Sequence, residues 1–175
     1  MLSVLKEIFT ENAAERNIRG NFKNYIFQSL LMLICVFIAL LLHQLFGGYI
    51  VASLGASSFI IFITPHTKSS RNRNIIGSYI CGSVAGILFS LLHRYITGLD
   101  FAGLGYVLIL ICAAAAAVTT LLMITTGFVH PPAAALALGL AIDRECLKTA
   151  AAALLGILIL CAARRVLRKY IKNLI

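Results

Sequence analysis

The sequence predicts an all-α integral membrane protein, a helical bundle of four long transmembrane helices plus two short, broken or half-spanning helices. Hydrophobic residues make up 61% of the 175 residues and charged residues only 12%, whereas a soluble domain has about a quarter of its residues charged. Long uncharged apolar runs recur along the whole chain, and a run of about 20 such residues crosses the hydrocarbon core of a bilayer. One membrane domain therefore accounts for most of the sequence.

Four apolar runs are long enough to cross about 30 Å of hydrocarbon at 1.5 Å per residue. They cover residues 25–46, 75–92, 101–126 and 149–166. Two shorter runs, 49–64 and 131–142, are stopped by Pro65 and Asp143. At roughly 24 and 18 Å if fully helical, neither crosses comfortably as a straight helix.

The chain divides into three parts on this basis. Residues 1–24 form an N-terminal segment in which spaced apolar residues allow a short interfacial helix. Residues 25–166 form the transmembrane domain, and residues 167–175 form a basic tail. No cleavable signal is expected, because Glu7, Glu11 and Glu15 precede the first apolar run.

Lysine and arginine placement favours a topology in which all six runs cross. That topology puts 12 basic residues on one side and leaves three on the other: Arg94, Arg144 and Lys148. If the two short runs are re-entrant instead, the split is 10 to 5, with the loop of Lys68, Arg71 and Arg73 outside. The positive-inside rule prefers the first topology. Both topologies put the two termini in the cytoplasm, as we expect in a bacterial inner (plasma) membrane.

The composition also argues against several functions. A net charge of +9 could indicate nucleic-acid binding, but the basic residues lie at the ends of apolar runs rather than beside stacking aromatic residues. The five cysteines are scattered without metal-ligand spacing. No catalytic triad, phosphate loop or cofactor motif occurs. We therefore expect no enzyme activity, no nucleic-acid partner, no metal and no cofactor, and the bilayer as the surroundings.

Six crossings fall into two groups of three, each ordered long, short, long. A shift of about 78 residues lays residues 52–62 over residues 130–140. Because three crossings per group is an odd number, the two halves would form an inverted repeat, and paired short segments then mark a transporter's central site. We therefore expect the two short helices to meet near the bilayer midplane. Chance similarity between apolar helices is the alternative. A homo-oligomer is expected.

Small residues recur every fourth position in the third run, at Ser78, Gly82, Gly86 and Ser90. In a membrane such a stripe lets the backbones of two helices approach closely. We interpret it as a packing surface, and residues 113–117, all alanine, as a similar one.

The sharpest local feature is the sequence from Thr125 to Pro132, Thr-Thr-Gly-Phe-Val-His-Pro-Pro. Two prolines fit only the first turn of a helix, so the fourth run should end near Gly127 and a new helix should start at Pro131. Broken backbone at membrane depth persists only beside protein or a water-filled cavity. A helix N-terminus there favours anions. His130 in the linker either contacts substrate or caps the broken helix.

A softer counterpart lies in the first half, where Gly55-Ala56-Ser57-Ser58 interrupts the second run with a residue that can unwind. The two hydroxyls either donate to an anion or bond back to the preceding turn. Arg73 and Asn74 precede the third run and form a vestibule, unless Asn74 only caps that helix. The predicted substrate-binding set is His130, Pro131, Pro132, Gly55, Ala56, Ser57, Ser58, Thr126 and Gly127.

These motifs resemble those of a known family. His130-Pro131-Pro132, after Thr-Gly and before small residues, resembles the signature of the HPP family of integral membrane proteins. Gly55-Ala56-Ser57, Pro65 and the stretch Arg-Asn-Ile-Ile-Gly at 73–77 resemble its second block. The resemblance covers roughly residues 25–166. It implies four transmembrane helices and a transport role, and plastid and cyanobacterial relatives are linked to nitrite transport. This chain departs by carrying alanines where many relatives have Gly or Thr after the prolines.

No carboxylate lies within any of the six runs, which disfavours a cation site. Together with the transport role and the nitrite substrate that the resemblance implies, this predicts a transporter or channel for a small inorganic anion, with nitrite as the leading candidate. The alternatives are a non-transporting scaffold or assembly subunit, and a transporter of a small neutral solute. Histidine has an unperturbed pKa of about 6.5, so anion transport that depends on His130 should rise as pH falls.

Overall fold

The computed structural model describes residues 18–46, 51–98 and 104–174. In these residues it contains six α-helices and no strand. They are α1 (Ile18–Phe46), α2 (Val51–Ile63), α3 (Asn72–Thr97), α4 (Leu104–Thr126), α5 (Pro132–Ile142) and α6 (Cys146–Leu167). A 3₁₀ turn, Lys68–Ser70, precedes α3. The predicted interfacial helix lies mostly outside the described residues.

Three of the described helices are long and apolar enough to cross a bilayer: Asn72–Thr97, Gly105–Thr126 and Cys146–Leu167. The fourth predicted long span lies within α1, where the described apolar stretch is the shorter Phe22–Ile38, so four long transmembrane helices are not confirmed. The helices α3 and α6 each begin three residues before the predicted runs. Polar residues at helix ends belong to the helix but not to the apolar pattern.

Successive helices run in alternating directions through the bundle. At one end, the Leu174 N–H donates to the Ile63 carbonyl at 2.9 Å, and the His66 N–H donates to the Asn173 side chain at 3.0 Å. We call this the loop end, because it carries residues 64–71 together with the C-terminal tail. At the other end, which we call the turn end, the Ser90 hydroxyl donates to the Asp143 carbonyl at 3.0 Å.

This alternation distinguishes the two predicted topologies. The loop with Lys68 and Arg71 shares an end with the tail, and Arg94 lies at the opposite end, where its guanidinium donates to the Arg144 carbonyl. The re-entrant topology would put Arg94 with the tail and the loop opposite both. The loop and the tail therefore lie at one end of the bundle and Arg94 at the other, as the six-crossing prediction requires. Because α2 and α5 are too short to count among the candidate spans, crossing by all six runs stays a prediction.

The helix α5 lies in the middle of the bundle, against the small-residue stripe of α3. A Cβ at Gly82 would lie 2.5 Å from the Ala133 carbonyl oxygen, and one at Gly86 would lie 2.6 Å from the Leu140 Cβ. On its other side α5 packs on α4, where fully buried Ala115 lies with Ala137 and Ala141. The predicted packing surface on α3 is confirmed, since the absence of side-chain bulk is what allows these contacts. The predicted surface at residues 113–117 is confirmed at Ala115, whereas Ala113 and Ala117 are exposed.

The helix α2 corrects one expectation. The stretch from Gly55 to Ser58 was expected to interrupt the second run, but α2 is continuous from Val51 to Ile63. The Ser58 hydroxyl donates to the Gly55 carbonyl at 2.7 Å. This is the bond back to the preceding turn that the sequence left open. It satisfies the hydroxyl inside the helix, so nothing forces the backbone to unwind.

The tail contributes to the fold as well. The side chains of Ile171 and Leu174 are buried, and the buried Gln28 of α1 donates to the carbonyls of Lys172, at 2.8 Å, and Phe62. Arg164, within the run 149–166, donates to the Pro65 carbonyl at 2.5 Å and to the Asn72 side chain at 2.8 Å. The tail and the last turn of α6 therefore hold the loop end together.

Candidate functional site

The predicted break between α4 and α5 is present. Gly127 ends α4 with a φ of +73°, a left-handed conformation that side chains with a Cβ rarely adopt. The chain then turns, and α5 starts at Pro132 with Pro131 as its N-cap residue, one residue later than predicted. The prolines lack the N–H groups that a first turn would leave unpaired. The end of α4, the turn and the start of α5 are therefore explained by the glycine and the two prolines of the linker 127–131.

The linker is fastened to α3. The Ser78 hydroxyl donates to the Phe128 carbonyl at 2.6 Å, and a Cβ at Gly77 would lie 2.5 Å from the Phe128 ring. The guanidinium carbon of Arg73 lies 5.3 Å from the centroid of that ring, a cation–π distance. The first turns of α3, from Arg73 to Ser78, thus hold the linker and with it His130 at the N-terminus of α5.

His130 is fully buried and both of its ring nitrogens have partners. Nε2 lies 2.8 Å from the Ser57 hydroxyl, and Nδ1 lies 3.0 Å from the Ser69 carbonyl and 3.3 Å from the Ser69 hydroxyl. The Ser57 hydroxyl also lies 2.7 Å from the Tyr79 hydroxyl. We call His130, Ser57, Ser69 and Tyr79 the histidine cluster.

The partners set the direction of the hydrogen bonds. A carbonyl oxygen only accepts, so the contact with Ser69 places the proton on Nδ1. In the neutral ring Nε2 then accepts from Ser57, and Ser57 accepts from the Tyr79 hydroxyl. Protonation of Nε2 would reverse this order, because Ser57 would have to accept from the ring. The bond between His130 and Ser57 and the bond between Ser57 and Tyr79 can therefore change direction without any movement of heavy atoms.

The prediction that the two short helices meet is correct, since α2 supplies Ser57 and the start of α5 supplies His130. Their position along the bundle differs from the expected midplane. The linker contacts α3 at Ser78, about 9 Å from the Asn72 end of a helix about 39 Å long. Ser69, from the loop end, also reaches the ring. The histidine cluster therefore lies nearer the loop end than the middle of α3.

Other predicted site residues are placed differently. Thr126, Gly127, Pro131 and Ala56 are exposed, and Pro132 and Ser58 are buried. The Thr126 hydroxyl bonds back to the Leu122 carbonyl of its own helix at 2.6 Å. Half-buried Gly55 has nothing within 4 Å of a built Cβ. Of the nine predicted substrate-binding residues, only His130 and Ser57 have side chains in the histidine cluster.

Arg73 and Asn74, the predicted vestibule, have different surroundings in the structure. Exposed Arg73 reaches the linker through Phe128. Buried Asn74 donates to the Lys68 carbonyl at 2.9 Å, so it ties the 3₁₀ turn to α3. The N-cap residue of α3 is Arg71. Asn74 therefore positions the turn that carries Ser69 rather than capping the helix.

Tyr79 and Ser69 belong to the cluster but were not predicted. A buried tyrosine hydroxyl needs a hydrogen-bond partner, so a tyrosine inside the third apolar run was a usable signal for Tyr79. Ser69 offered no comparable signal, because a serine in a polar loop is unremarkable in sequence. Only the folding of residues 64–71 over the linker brings its carbonyl to the ring.

The start of α5 also has its backbone groups paired. The Ala133 N–H donates to the His130 carbonyl at 3.1 Å, and the Ala134 N–H donates to the Pro131 carbonyl at 3.0 Å. A cavity of about 240 Å³ lies on the other side of the linker, lined by Thr120, Met123, Ile124, Val129, Pro131 and Ala134. Its lining is apolar, and His130 is not part of it.

The histidine cluster contains no charged group, and its ring contacts are with neutral hydroxyls, a carbonyl and the tilted Tyr79 ring at 6.1 Å. Within the described part of the chain, no three His, Cys, Asp or Glu residues are grouped as a metal site would require. Buried Asp143 lies at the turn end, bonded to Thr149 and to the Glu145 N–H. A positive charge on His130 would therefore find no carboxylate partner among the residues that the structure describes.

The fold and this buried polar cluster define an integral membrane protein of apolar helices, with a broken helix in the centre of the bundle. The comparison with protein families agrees. The family model described as "HPP, transmembrane region" matches residues 17–173, and the chain belongs to this family, as the motifs around Gly55 and His130 predicted. No curated protein and no solved structure matches the chain.

Proposed function

We propose that this protein is a transporter or channel for a small inorganic anion, with nitrite as the leading candidate substrate. The observation that carries the proposal is the histidine cluster, where the two short helices meet around His130 and Ser57, 2.8 Å apart. Such a neutral polar cluster, inside a bundle of apolar helices, is expensive to bury and marks a functional site by default. Hydroxyl and imidazole donors suit an anion.

The hydrogen bonds of the cluster imply that the described conformation is occluded. His130 is fully buried, its Nε2 and Nδ1 are bonded within the protein, and the first N–H groups of α5 are paired. An anion must therefore displace the Ser57 hydroxyl or the Ser69 turn to reach the ring. The 3₁₀ turn carrying Ser69 lies at the loop end and is the shorter route.

Proton and anion should bind together in this mechanism. The imidazolium form has no carboxylate partner within the cluster, so an arriving anion would supply the missing negative charge. Protonation also turns Nε2 into a donor, and a doubly protonated ring donates to two acceptors. Anion flux should therefore rise as pH falls, as long as His130 is present.

Flux in proteoliposomes tests the proposal. His130→Ala should lower nitrite flux at least tenfold and remove its pH dependence, and Ser57→Ala should lower the flux less. Ser83→Ala is the matched control, because Ser83 is a buried serine whose hydroxyl has no partner within the described residues. Empty vesicles are subtracted at each pH, since undissociated nitrous acid crosses lipid unaided. Wild-type flux with an unchanged pH profile in His130→Ala would refute the mechanism.

A non-transporting scaffold or assembly subunit is the second candidate, and one observation favours it. Every polar atom of the His130 ring already has a protein partner, as a structural cap on the broken helix would require. In that case wild-type vesicles would show no more flux than empty ones, for nitrite and for small neutral solutes. His130→Ala would then lower only the unfolding temperature.

The inverted repeat is part of the proposal, supported by a pair of matching contacts. A Cβ at Gly82 of α3 would lie 2.5 Å from the Ala133 carbonyl oxygen of α5, and one at Gly156 of α6 would lie 2.9 Å from Leu54 of α2. The first half is α1 to α3 and the second half is α4 to α6. In each half, a glycine of the third helix thus contacts the short helix of the other half. Two halves exchanged about a pseudo-two-fold axis would share the site between them.

We also propose that the loop end faces the cytoplasm of a bacterial inner membrane and that the protein assembles as a homo-oligomer. The basic residues concentrate at the loop end, which supports the orientation. About 22% of the apolar span in α4 is buried within the bundle, against 50% for the spans in α3 and α6. That exposed helix supplies the surface for a second copy.

A further inference from the structure

The turn end of the bundle has a cavity unrelated to the histidine cluster. Its volume is about 380 Å³, and it lies between the last turns of α3 and the first turn of α6. The lining residues are Ile87, Leu91, Arg94, Arg144, Glu145, Cys146, Leu147 and Lys148. Ser78 and Arg94 are 16 residues apart on α3, which separates this cavity from the linker contact by about 24 Å.

The polar rim of the cavity is cationic. It has three basic side chains, those of Arg94, Arg144 and Lys148, and one acidic side chain, that of Glu145. Glu145 pairs with Lys148 at 2.9 Å, which leaves the two guanidinium groups without an acidic partner among the described residues. The Arg94 guanidinium also donates to the Arg144 carbonyl, which holds it at the rim.

The neighbouring acid is engaged by other groups. Asp143 is buried, and its carboxylate accepts from the Thr149 hydroxyl and the Glu145 N–H. It does not line the cavity. The described lining therefore carries a net charge of two positive units beside Leu91 and Leu147.

The apolar part of the cavity lining, which we call its floor, consists of Ile87, Leu91 and Leu147, of which the two leucines are exposed on the outside of the bundle. Leu91 is 53% exposed and Leu147 is 69% exposed, and Ile87 lies one turn before Leu91 on the same face of α3. Both helices have the length and hydropathy of membrane spans, and the cavity lies at their ends. A cationic rim at the end of a span, above an exposed apolar floor, lies at the level where hydrocarbon meets the headgroups.

We propose that this cavity binds an anionic phospholipid, with the headgroup phosphate between Arg94, Arg144 and Lys148. The first part of an acyl chain then covers Ile87, Leu91 and Leu147. Charge complementarity selects an anionic headgroup, because the two unpaired guanidinium groups would repel a cationic one and gain little from a zwitterionic one. Guanidinium groups also match phosphate oxygens in pairs. The outward-facing leucines select a lipid over a soluble phosphate compound.

Native mass spectrometry of the whole purified protein in detergent tests this lipid site. Phosphatidylglycerol and phosphatidylcholine with identical acyl chains are added in equal amounts, and the bound fraction of each is counted. We expect several-fold more phosphatidylglycerol bound. Arg144→Ala should weaken that binding about fivefold, the effect of one basic residue near an anionic headgroup. The exposed Arg144 side chain makes no hydrogen bond within the described residues, so its removal should leave the fold intact.

Lys169→Ala is the matched control, because it removes one exposed basic side chain at the loop end. It should leave phosphatidylglycerol binding unchanged. Leu147→Ser tests the floor and should weaken binding of the lipid without changing the charge. Equal binding of the two lipids, or equal effects of Arg144→Ala and Lys169→Ala, would overturn the proposal. Displacement of the lipid by millimolar inorganic phosphate would show a site for free phosphate instead.

Discussion

His130 shows how strongly its surroundings decide what one residue can do. In the sequence it is a lone histidine before two prolines, free to donate to an anion. In the structure both ring nitrogens are bonded, to Ser57 at 2.8 Å and to the Ser69 carbonyl at 3.0 Å. An anion therefore competes with protein groups instead of filling a vacant site. This is why the proposed transport needs a conformational step.

Tyr79→Phe tests whether the cluster acts as one unit. The change removes the hydroxyl that lies 2.7 Å from Ser57 and keeps the fully buried ring. We expect about 1 kcal/mol less stability, the net value of one hydrogen bond, and a pH profile of flux that differs from wild type. Thermal unfolding in detergent and proteoliposome flux measure the two effects. Tyr95→Phe, at an exposed tyrosine of the same helix, is the control and should change neither.

Gly127→Ala tests the turn that positions the linker. The φ of +73° at Gly127 costs a residue with a Cβ about 1–2 kcal/mol, although nothing lies within 4 Å of the added atom. We expect a lower unfolding temperature, measured in detergent. Gly105→Ala is matched to it, since Gly105 also has open space around it but lies within the helical span, so that change should not destabilise the protein. An equal effect of the two would contradict a role for the backbone angle.

The short helix α5 is placed by features of its neighbour as much as by its own sequence. Ser78 bonds to the carbonyl of Phe128 before α5 starts, and Ser90 bonds to the carbonyl of Asp143 at its end. Between these two bonds Gly82 and Gly86 let the α5 backbone approach. Four small residues of α3, one per turn, therefore determine where the linker with His130 is held.

Gly82→Ala tests this placement. The new Cβ would lie 2.5 Å from the backbone oxygen of Ala133, and a backbone atom cannot rotate away as a side chain can. We expect a loss of about 1–3 kcal/mol, typical of overpacking, seen as a lower unfolding temperature. Gly55→Ala makes the same change in α2, where the added atom meets nothing. It should be neutral or stabilising by up to about 1 kcal/mol, since alanine favours a helix.

Gly55→Ala also tests whether α2 unwinds during transport. If the helix stays continuous, as in the described structure, the variant should keep wild-type nitrite flux. A large loss of flux with normal stability would instead show that unwinding at Gly55 is part of the cycle. The two readouts come from the same purified variant.

The whole molecule places its basic residues at two ends with different roles. The loop end holds residues 64–71, the tail and the last turn of α6, and is fastened by Arg164, Gln28 and the Leu174 N–H. The turn end holds Arg94, Arg144 and Lys148 around an apolar cavity. The protein thus has a structural and proposed substrate-gating end, and a proposed lipid-binding end.

Cysteine labelling tests the orientation of these ends. We expect Arg71→Cys to be labelled from the cytoplasmic side and Arg144→Cys from the outside, in a background without the five native cysteines. Ser70 would be a poor probe, because it is fully buried and bonded to the Ile60 and Thr64 carbonyls. Labelling of both variants by an impermeant reagent from the same side would contradict the alternating helices.

The class of protein, the six apolar segments, the break at Gly127 and the family can all be predicted from the sequence alone. These depend on local properties: hydropathy, the lack of a proline N–H, and glycine's tolerance of positive φ. Three further features emerge only from the packed helices: α2 is continuous, Tyr79 and Ser69 complete the histidine cluster, and the cluster lies near the loop end. Those outcomes depend on contacts between distant residues, such as Ser57 with His130. A sequence pattern shows which groups need partners, and packing alone shows which partners they find.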